Sequence, residues 1–309
     1  LLASPPVEKI LHGADYDLRG LHRDWGLTAA NIFDTYVAAR IAGIEQVGLS
    51  ALASSLLGLD LPKEARIQKQ DWSKRPLTQT ALDYAAADVA HLAELRDALA
   101  QRLAALGRQA WADEEFARLE QVRHQPPDPD RALFSFKEGR GLDARGLAVL
   151  RSLLEMREAE ARRLSRPPAF VVPNAALGEL AANPALDPAD APSMPPSVAR
   201  RLGEKLRRAV KRGLAAPEVR RPAPELPPRP RPSRAEAARI AQRLKRFRPW
   251  RAGEAARLAI DPALVWPARS LERLSRDPQT LADELQTADV RRWQQREFSP
   301  SLARALEAA

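Results

Sequence analysis

No cysteine occurs among the 309 residues, which removes disulfides, thiolate zinc sites and cysteine nucleophiles together and makes a reducing cytoplasm the expected setting. Aromatic residues are scarce at 5%, so any core must be built mainly from Leu, Ala and Val. No apolar run reaches the roughly 18 residues of a membrane-spanning helix, and the start lacks the basic-then-apolar order of a secretory leader. No GxxxxGK[ST] loop is present, so P-loop nucleotide chemistry has no support and no nucleotide cofactor is expected. The four histidines, His12, His22, His91 and His124, show no zinc spacing and read as structural or surface residues. Glycine is outnumbered by proline, 14 to 27, and this balance with abundant Ala, Leu, Arg and Glu favours short helices joined by rigid connectors over an all-β fold.

The net charge of +9 is unevenly placed. Residues 1–125 hold 14 Lys/Arg against 17 Asp/Glu, whereas residues 126–309 hold 35 against 23. Within the second part, 205–251 carries 16 basic and 3 acidic residues. Clustered Lys and Arg release counterions from phosphate backbones, so a polyanion is the natural partner of that stretch; a merely solubilising linker is the alternative.

Residues 9–12 and 32–34 read as short strands, each followed by a helical stretch, which indicates an α/β layer over residues 1–125. From Leu77, just after Pro76, the pattern is helical and its apolar stripe continues through Leu92, Leu95, Leu99, Leu103 and Leu106. A polar break at Gln125-Pro126-Pro127-Asp128-Pro129-Asp130 closes the region. Beyond it an internal repeat runs at an offset of 94 residues without a gap: Arg157 matches Arg251, Pro168 matches Pro262, Val171 matches Val265, Pro173 matches Pro267, Leu177 matches Leu271 and Leu180 matches Leu274. This divides the rest into a helical module at 131–214, a linker at 215–233 and a second helical module at 234–309. The linker holds seven prolines in 19 positions with arginines interspersed, the composition of an extended, semi-rigid spacer.

Tyr84 and Asp88 lie four residues apart on an alanine-rich helix and so share one face. A distant acid, Asp17 in the segment Ile10-Leu11-His12-Gly13-Ala14-Asp15-Tyr16-Asp17-Leu18, is placed to join them. Together with Phe33-Asp34-Thr35, Gly58-Leu59-Asp60-Leu61-Pro62-Lys63 and Asp71-Trp72-Ser73-Lys74-Arg75-Pro76-Leu77, in this order, these residues resemble the ribonuclease D branch of the 3′-to-5′ exonucleases. The two repeated helical modules resemble HRDC domains, the first more closely than the second. The resemblance implies a ribonuclease H-like α/β exonuclease domain at 1–125 followed by two all-α HRDC-like domains, mostly α overall.

Carried over position by position, the resemblance makes Asp17 and Asp88 metal ligands and Tyr84 the phenol that orients the attacking water. The family's first motif, an Asp and a Glu one residue apart on an opening strand, is absent; Asp113-Glu114-Glu115 lies on a late helix and cannot supply it. With Leu rather than Met first, the expectation is a domain lacking its opening strands, with two further acids upstream of Leu1. The implied cofactor is Mg²⁺ or Mn²⁺ in a two-metal site, and the implied reaction is hydrolysis releasing nucleoside 5′-monophosphates from RNA 3′ ends of the tRNA-precursor type. Single-stranded DNA is a second candidate partner. Lys63 and Arg75 are candidate phosphate contacts, with snorkelling surface cations as the alternative. Asp34 reads as a local cap rather than a ligand, and Trp72 as packing rather than base stacking. The rival reading is a non-catalytic nucleic-acid-binding protein resting on the helical pair and the arginine-rich linker.

Overall fold

The computed structural model describes residues 1–61, 65–68, 70–126, 128–221 and 232–307. The chain forms two compact units, one from Leu1–His124 with Arg231–Ala309, the other from Gln125–Pro230.

The first unit begins with β1 (Lys9–Leu11), α1 (Asp15–Trp25), β2 (Ile32–Asp34) and α2 (Thr35–Ile41). The strands pair in parallel, with Lys9 opposite Ile32, Ile10 opposite Phe33 and Leu11 opposite Asp34. A parallel pair needs a crossover, and α1 supplies it, burying Leu18 while Asp15, Asp17, Arg19 and Arg23 stay exposed. Next come α3 (Leu49–Leu52), a wider π-type turn (Ala53–Leu57), α4 (Ala65–Gln68), α5 (Gln79–Ala90), α6 (Leu92–Ala105) and α7 (Gln109–Glu120).

The expected continuous apolar stripe is broken. Thr78 caps α5 by accepting from the Ala81 N–H at 3.2 Å, but α5 ends at His91, whose φ of −110° and ψ of 13° are not helical. The leucine stripe belongs to α6, where Leu92, Leu95, Leu99 and Leu103 are buried, while Leu106 is exposed and α5 buries only Ala81. Alanines give α5 helix propensity without an apolar face to anchor it.

The second unit contains α8 (Pro129–Ser135), α9 (Ala144–Leu164), α10 (Pro168–Val171), α11 (Asn174–Ala182) and α12 (Pro196–Ala215). Asp143 caps α9 through the Gly146 N–H at 2.7 Å. α12 lies against α9 so closely that a Cβ on Gly213 would stand 2.4 Å from the Val149 Cα, which explains a glycine inside a helix. The chain after α12 stays packed on this unit: Val219 is buried with its N–H on the Ala144 carbonyl at 3.0 Å, and Arg221 donates to the carbonyls of Phe134 (3.1 Å) and Gly139 (2.7 Å). Arg221 therefore holds the unit together rather than being presented by a spacer, and residues 222–231 of the expected linker lie outside the described residues.

Residues 232–307 return to the first unit as α13 (Arg234–Leu258), α14 (Pro262–Val265), α15 (Ala268–Arg276), α16 (Leu281–Leu285) and α17 (Arg292–Glu307). The 94-residue offset reappears residue for residue: α14 repeats α10, α15 repeats α11, and Ser165 and Ala259, both at φ +49°, end the long helices in the same left-handed conformation.

These helices share one hydrophobic core with residues 1–124, in which Phe33, Leu95, Leu99, Leu103 and Phe116 join Phe247, Trp266, Trp293 and Phe298. Trp111 on α7 stacks on Trp293 at 4.6 Å between centroids and 16° between planes. Glu114 accepts from the Arg292 and Trp293 N–H groups at 2.7 and 3.1 Å, capping α17 from another element, and Glu115 accepts from Arg291 Nε at 2.9 Å and the Trp293 indole at 3.2 Å. The buried Arg108 guanidinium donates to the carbonyls of Ile41 (2.9 Å) and Leu258 (2.5 Å). Gly43, at φ +76°, is met so closely by the Ala259 carbonyl that a Cβ there would stand 2.0 Å from its oxygen. No helix among the described residues is long and apolar enough to cross a membrane.

Candidate functional site

The carboxyl end of a parallel sheet opens a crevice where helices and loops can place chemistry. Here that end is fixed by Asp34, the last residue of β2. Its carboxylate is fully buried and accepts the N–H groups of Gly13 at 3.1 Å, Ala14 at 2.7 Å and Val37 at 3.0 Å. One side chain thus ties the turn after β1 to the start of α2. Its lone pairs are taken by backbone, in keeping with the reading of Asp34 as a cap.

His12, leaving β1, stands beside it. The Thr35 hydroxyl donates to the Leu11 carbonyl at 3.0 Å and lies 2.9 Å from His12 Nδ1. With its single proton committed, that hydroxyl accepts from Nδ1–H, so the network assigns the proton to Nδ1 and leaves Nε2 as an acceptor. Tyr36 meets the imidazole edge-on at 5.9 Å. Burial holds the His12 pKa below its ordinary value, against the pull of the Asp34 and Asp88 carboxylates, which favour the charged ring.

Asp88 and Tyr84 come from α5. Partial desolvation raises the Asp88 carboxyl above its usual range, and the nearby His12 opposes that rise. The Tyr84 phenol is also raised, first by burial and then by the Asp88 charge, and its ring lies 6.3 Å from that of Trp72. The structure thus brings Tyr84, Asp88 and His12 into one electrostatic neighbourhood. His12 had read as structural or surface; the available signal was its place at a strand's carboxyl end, five residues before Asp17.

Asp17 projects from the first turn of α1, at the same end of β1 as His12, and is exposed. Its neighbour Asp15 is paired with Arg19 at 2.8 Å. Among the described residues the side chains of Asp17, Tyr84 and Asp88 have no hydrogen-bond or ion-pair partner. Nor do three or more acidic or histidine side chains there form a group able to hold a metal ion. The side chains of Asp17, Asp88 and Tyr84 each offer a hard oxygen of the kind that Mg²⁺ and Mn²⁺ take.

Of the candidate phosphate contacts, Lys63 lies outside the described residues. Arg75 is exposed and donates to the carbonyls of Trp72 at 2.7 Å and Lys74 at 2.9 Å, so it braces its own turn.

Residues 1–104 match the family model described as 3′-5′ exonuclease, and residues 146–210 match that of the HRDC domain. The chain is 40% identical over 195 residues to a ribonuclease D from Granulibacter bethesdensis, an alignment covering 63% of this chain and 48% of that protein. It is 33% identical over 318 residues to a ribonuclease D from Pseudomonas paraeruginosa, covering the whole of this chain and 81% of that one. The chain thus spans about half the length of some curated relatives and four fifths of another. Among solved structures, RNase D of Escherichia coli, described as an exoribonuclease involved in structured RNA processing, superposes with a TM-score of 0.69 at 23% identity, covering 99% of this chain and 81% of that one. With a relative this similar along the full length, and with exonuclease and HRDC segments in the same order, the chain belongs to the ribonuclease D family.

Proposed function

We propose that this protein is a metal-dependent 3′-to-5′ exoribonuclease that trims RNA 3′ ends and releases nucleoside 5′-monophosphates, with structured RNA of the tRNA-precursor type as substrate. The observation that carries the reading is the Tyr84–Asp88 pair on α5, with Asp88 in the electrostatic reach of His12 and neither side chain paired among the described residues. Asp17 and Asp88 would hold Mg²⁺ or Mn²⁺ as two of the acids of such a site. When bound, such ions stabilise the attacking and leaving oxygens of the phosphodiester.

The chain's own residues do the rest. The Tyr84 phenol, kept protonated by its raised pKa, orients the water that attacks phosphorus. Asp88 shares the helix face of that phenol, and His12, with Nδ1–H anchored on Thr35, keeps a neutral acceptor within electrostatic reach of the carboxylate. Asp34 fixes the platform from which His12 and α1 depart. The helical modules 131–214 and 234–309, both read as HRDC-like, hold the body of the RNA. A chain without cysteine suits a cytoplasmic site of action.

The test uses the chain extended at its amino end by an Asp-x-Glu strand from a longer relative. Metal-dependent release of monophosphates from a 3′-labelled RNA is expected. Asp88→Asn abolishes it while RNA binding persists, and Tyr84→Phe lowers kcat more than it raises KM. A full trimming rate in Asp88→Asn removes that residue from the site. A single-stranded DNA of the same length decides the sugar preference.

A second reading, a non-catalytic RNA-binding protein, is favoured by the lack of a three-ligand metal group among the described residues. It prevails if the extended chain binds RNA and never turns it over.

A further inference from the structure

The positive surplus of residues 232–309 has a single location. Residues 234–251 carry seven Lys/Arg against one acid, Glu236, whereas 252–309 carry eight against nine. All seven lie on α13. Two serve the fold: Arg243 donates to the Ser275 carbonyl at 3.0 Å, and Arg251 to that of Pro262 at 3.1 and 2.8 Å. Arg234, Arg239, Lys245 and Arg248 are exposed, and among the described residues none has a hydrogen-bond or ion-pair partner.

Helical spacing sorts these cations further. At about 100° per residue, Arg234, Ala238, Ala241, Lys245, Arg248 and Ala252 line up at alternating steps of four and three, within roughly 80° of arc, and the three cations within about 60°. At about 1.5 Å per residue the three cations span some 21 Å. Glu236 and Glu254 fall on another side of the helix, and Glu254 is already paired with Arg257 at 2.7 Å. The apolar residues Leu244 and Phe247 turn into the shared core. Because its apolar side is already used, α13 has no greasy face with which to enter a lipid surface. What remains is a row of charges separated by alanines, small enough for a polymer backbone to approach.

We infer that the Arg234/Lys245/Arg248 row tracks the phosphates of bound RNA upstream of the 3′ end, on the same compact unit that carries Tyr84 and Asp88. The inference rests on the exoribonuclease reading and assigns the electrostatic share of RNA affinity to one helix face. Phosphate contacts carry no sequence preference, which suits an enzyme that must hold whatever lies behind the end it trims.

The test is the full chain with a hairpin RNA bearing a 3′ overhang, its affinity measured against salt. Each phosphate contact adds roughly 0.7 to 0.9 to the slope of log affinity on log salt. The triple variant Arg234→Gln/Lys245→Gln/Arg248→Gln is therefore expected to lower the slope by about 2, and to weaken binding at low salt by about tenfold or more. A charge-matched control, Arg269→Gln/Arg276→Gln/Arg296→Gln, removes three exposed arginines from α15 and α17 and is expected to lower it far less. An unchanged slope in the first variant overturns the assignment, as does an equal drop in the control, since either result denies the row a special part. Salt-independent RNA binding by the unaltered chain overturns the RNA reading along with it.

Discussion

Trp293 is the residue whose removal should most clearly show that the first unit has a core of its own. Its side chain is 0% exposed, stacked on Trp111 at 4.6 Å and met edge-on by Phe298 at 6.1 Å. Truncating a buried aromatic to alanine costs about 3–5 kcal/mol, and a stacked aromatic pair adds about 0.5–1.5 kcal/mol beyond area, part of which that range already contains. The lost indole hydrogen bond does not orphan Glu115, which keeps its ion pair with Arg291 at 2.9 Å. The expected loss for Trp293→Ala is therefore about 4 kcal/mol, a large share of the roughly 5–15 kcal/mol that holds a domain folded.

Two compact units make a single unfolding free energy ill defined, so native-state amide exchange is the fitting assay. Protection in α7 and α17 should fall by about 4 kcal/mol, because the Trp293 side chain joins those helices through Trp111 and Glu115. Protection in α9 and α12 should not change, since their core, built on Leu150, Leu153, Leu177 and Leu206, is separate. A loss below about 1 kcal/mol, or one shared equally by α9 and α12, refutes the reasoning, because either would mean that Trp293 does not anchor a core private to the first unit.

Gly43→Ala should destabilise the first unit severely, since its Cβ would collide with the Ala259 carbonyl, whereas Gly26→Ala, at a similar φ of +66° but with open space around it, should cost only about 1 kcal/mol in a thermal melt. Asp34→Ala strands three backbone N–H donors at about 1–3 kcal/mol each, so a loss above about 3 kcal/mol is expected in urea unfolding, and a neutral result denies Asp34 its part in fixing the sheet end. In the second unit Arg163 and Lys205 hold the Glu160 carboxyl at about 2, against an ordinary value of 4.5. A depressed folded pKa stabilises above the unfolded value and is lost as pH falls through the folded one, so acid-induced loss of α9 protection between about pH 4.5 and 2 should flatten in Glu160→Gln. Amides of α5, which buries only Ala81, should exchange at least about tenfold faster than those of α6 and slow when RNA is added; equal protection in the two helices counts against a weakly anchored α5.

What could be read from the chain was local or periodic. The strands at 9–11 and 32–34 announced themselves by apolar runs ending in polar residues, and the repeat by prolines whose helix-starting role is the same in both copies, Pro168 and Pro262 each opening a short helix. What stayed hidden depended on distant pairs. Trp111 and Trp293 lie 182 positions apart, and nothing in either neighbourhood marks them as stacked. Glu114 and Glu115 could be read only as acids on a late helix, because a carboxylate that caps a helix from another element leaves no spacing signature. The break at His91 was masked for the opposite reason: alanines extend a helical pattern whether or not the helix continues, and only the burial of Leu92 against the exposure of Val89 and Ala90 shows the stripe beginning afresh.

The same contrast governs the site. Asp34, Thr35 and His12 are held by hydrogen bonds of 2.7–3.1 Å on a buried strand end, so their positions are set by the fold before any ligand arrives. Tyr84 and Asp88 ride on a helix whose only buried side chain is Ala81, and neither has a protein partner among the described residues. A carboxylate left unpaired and partly desolvated is costly to keep charged, and its raised pKa expresses that cost. On the proposed reading a cation held by Asp88 would offset that cost, with the phenol four residues earlier on the same face of α5. On this account substrate and cofactor complete the alignment that packing leaves open, and the fixed half of the site is the template against which α5 is registered.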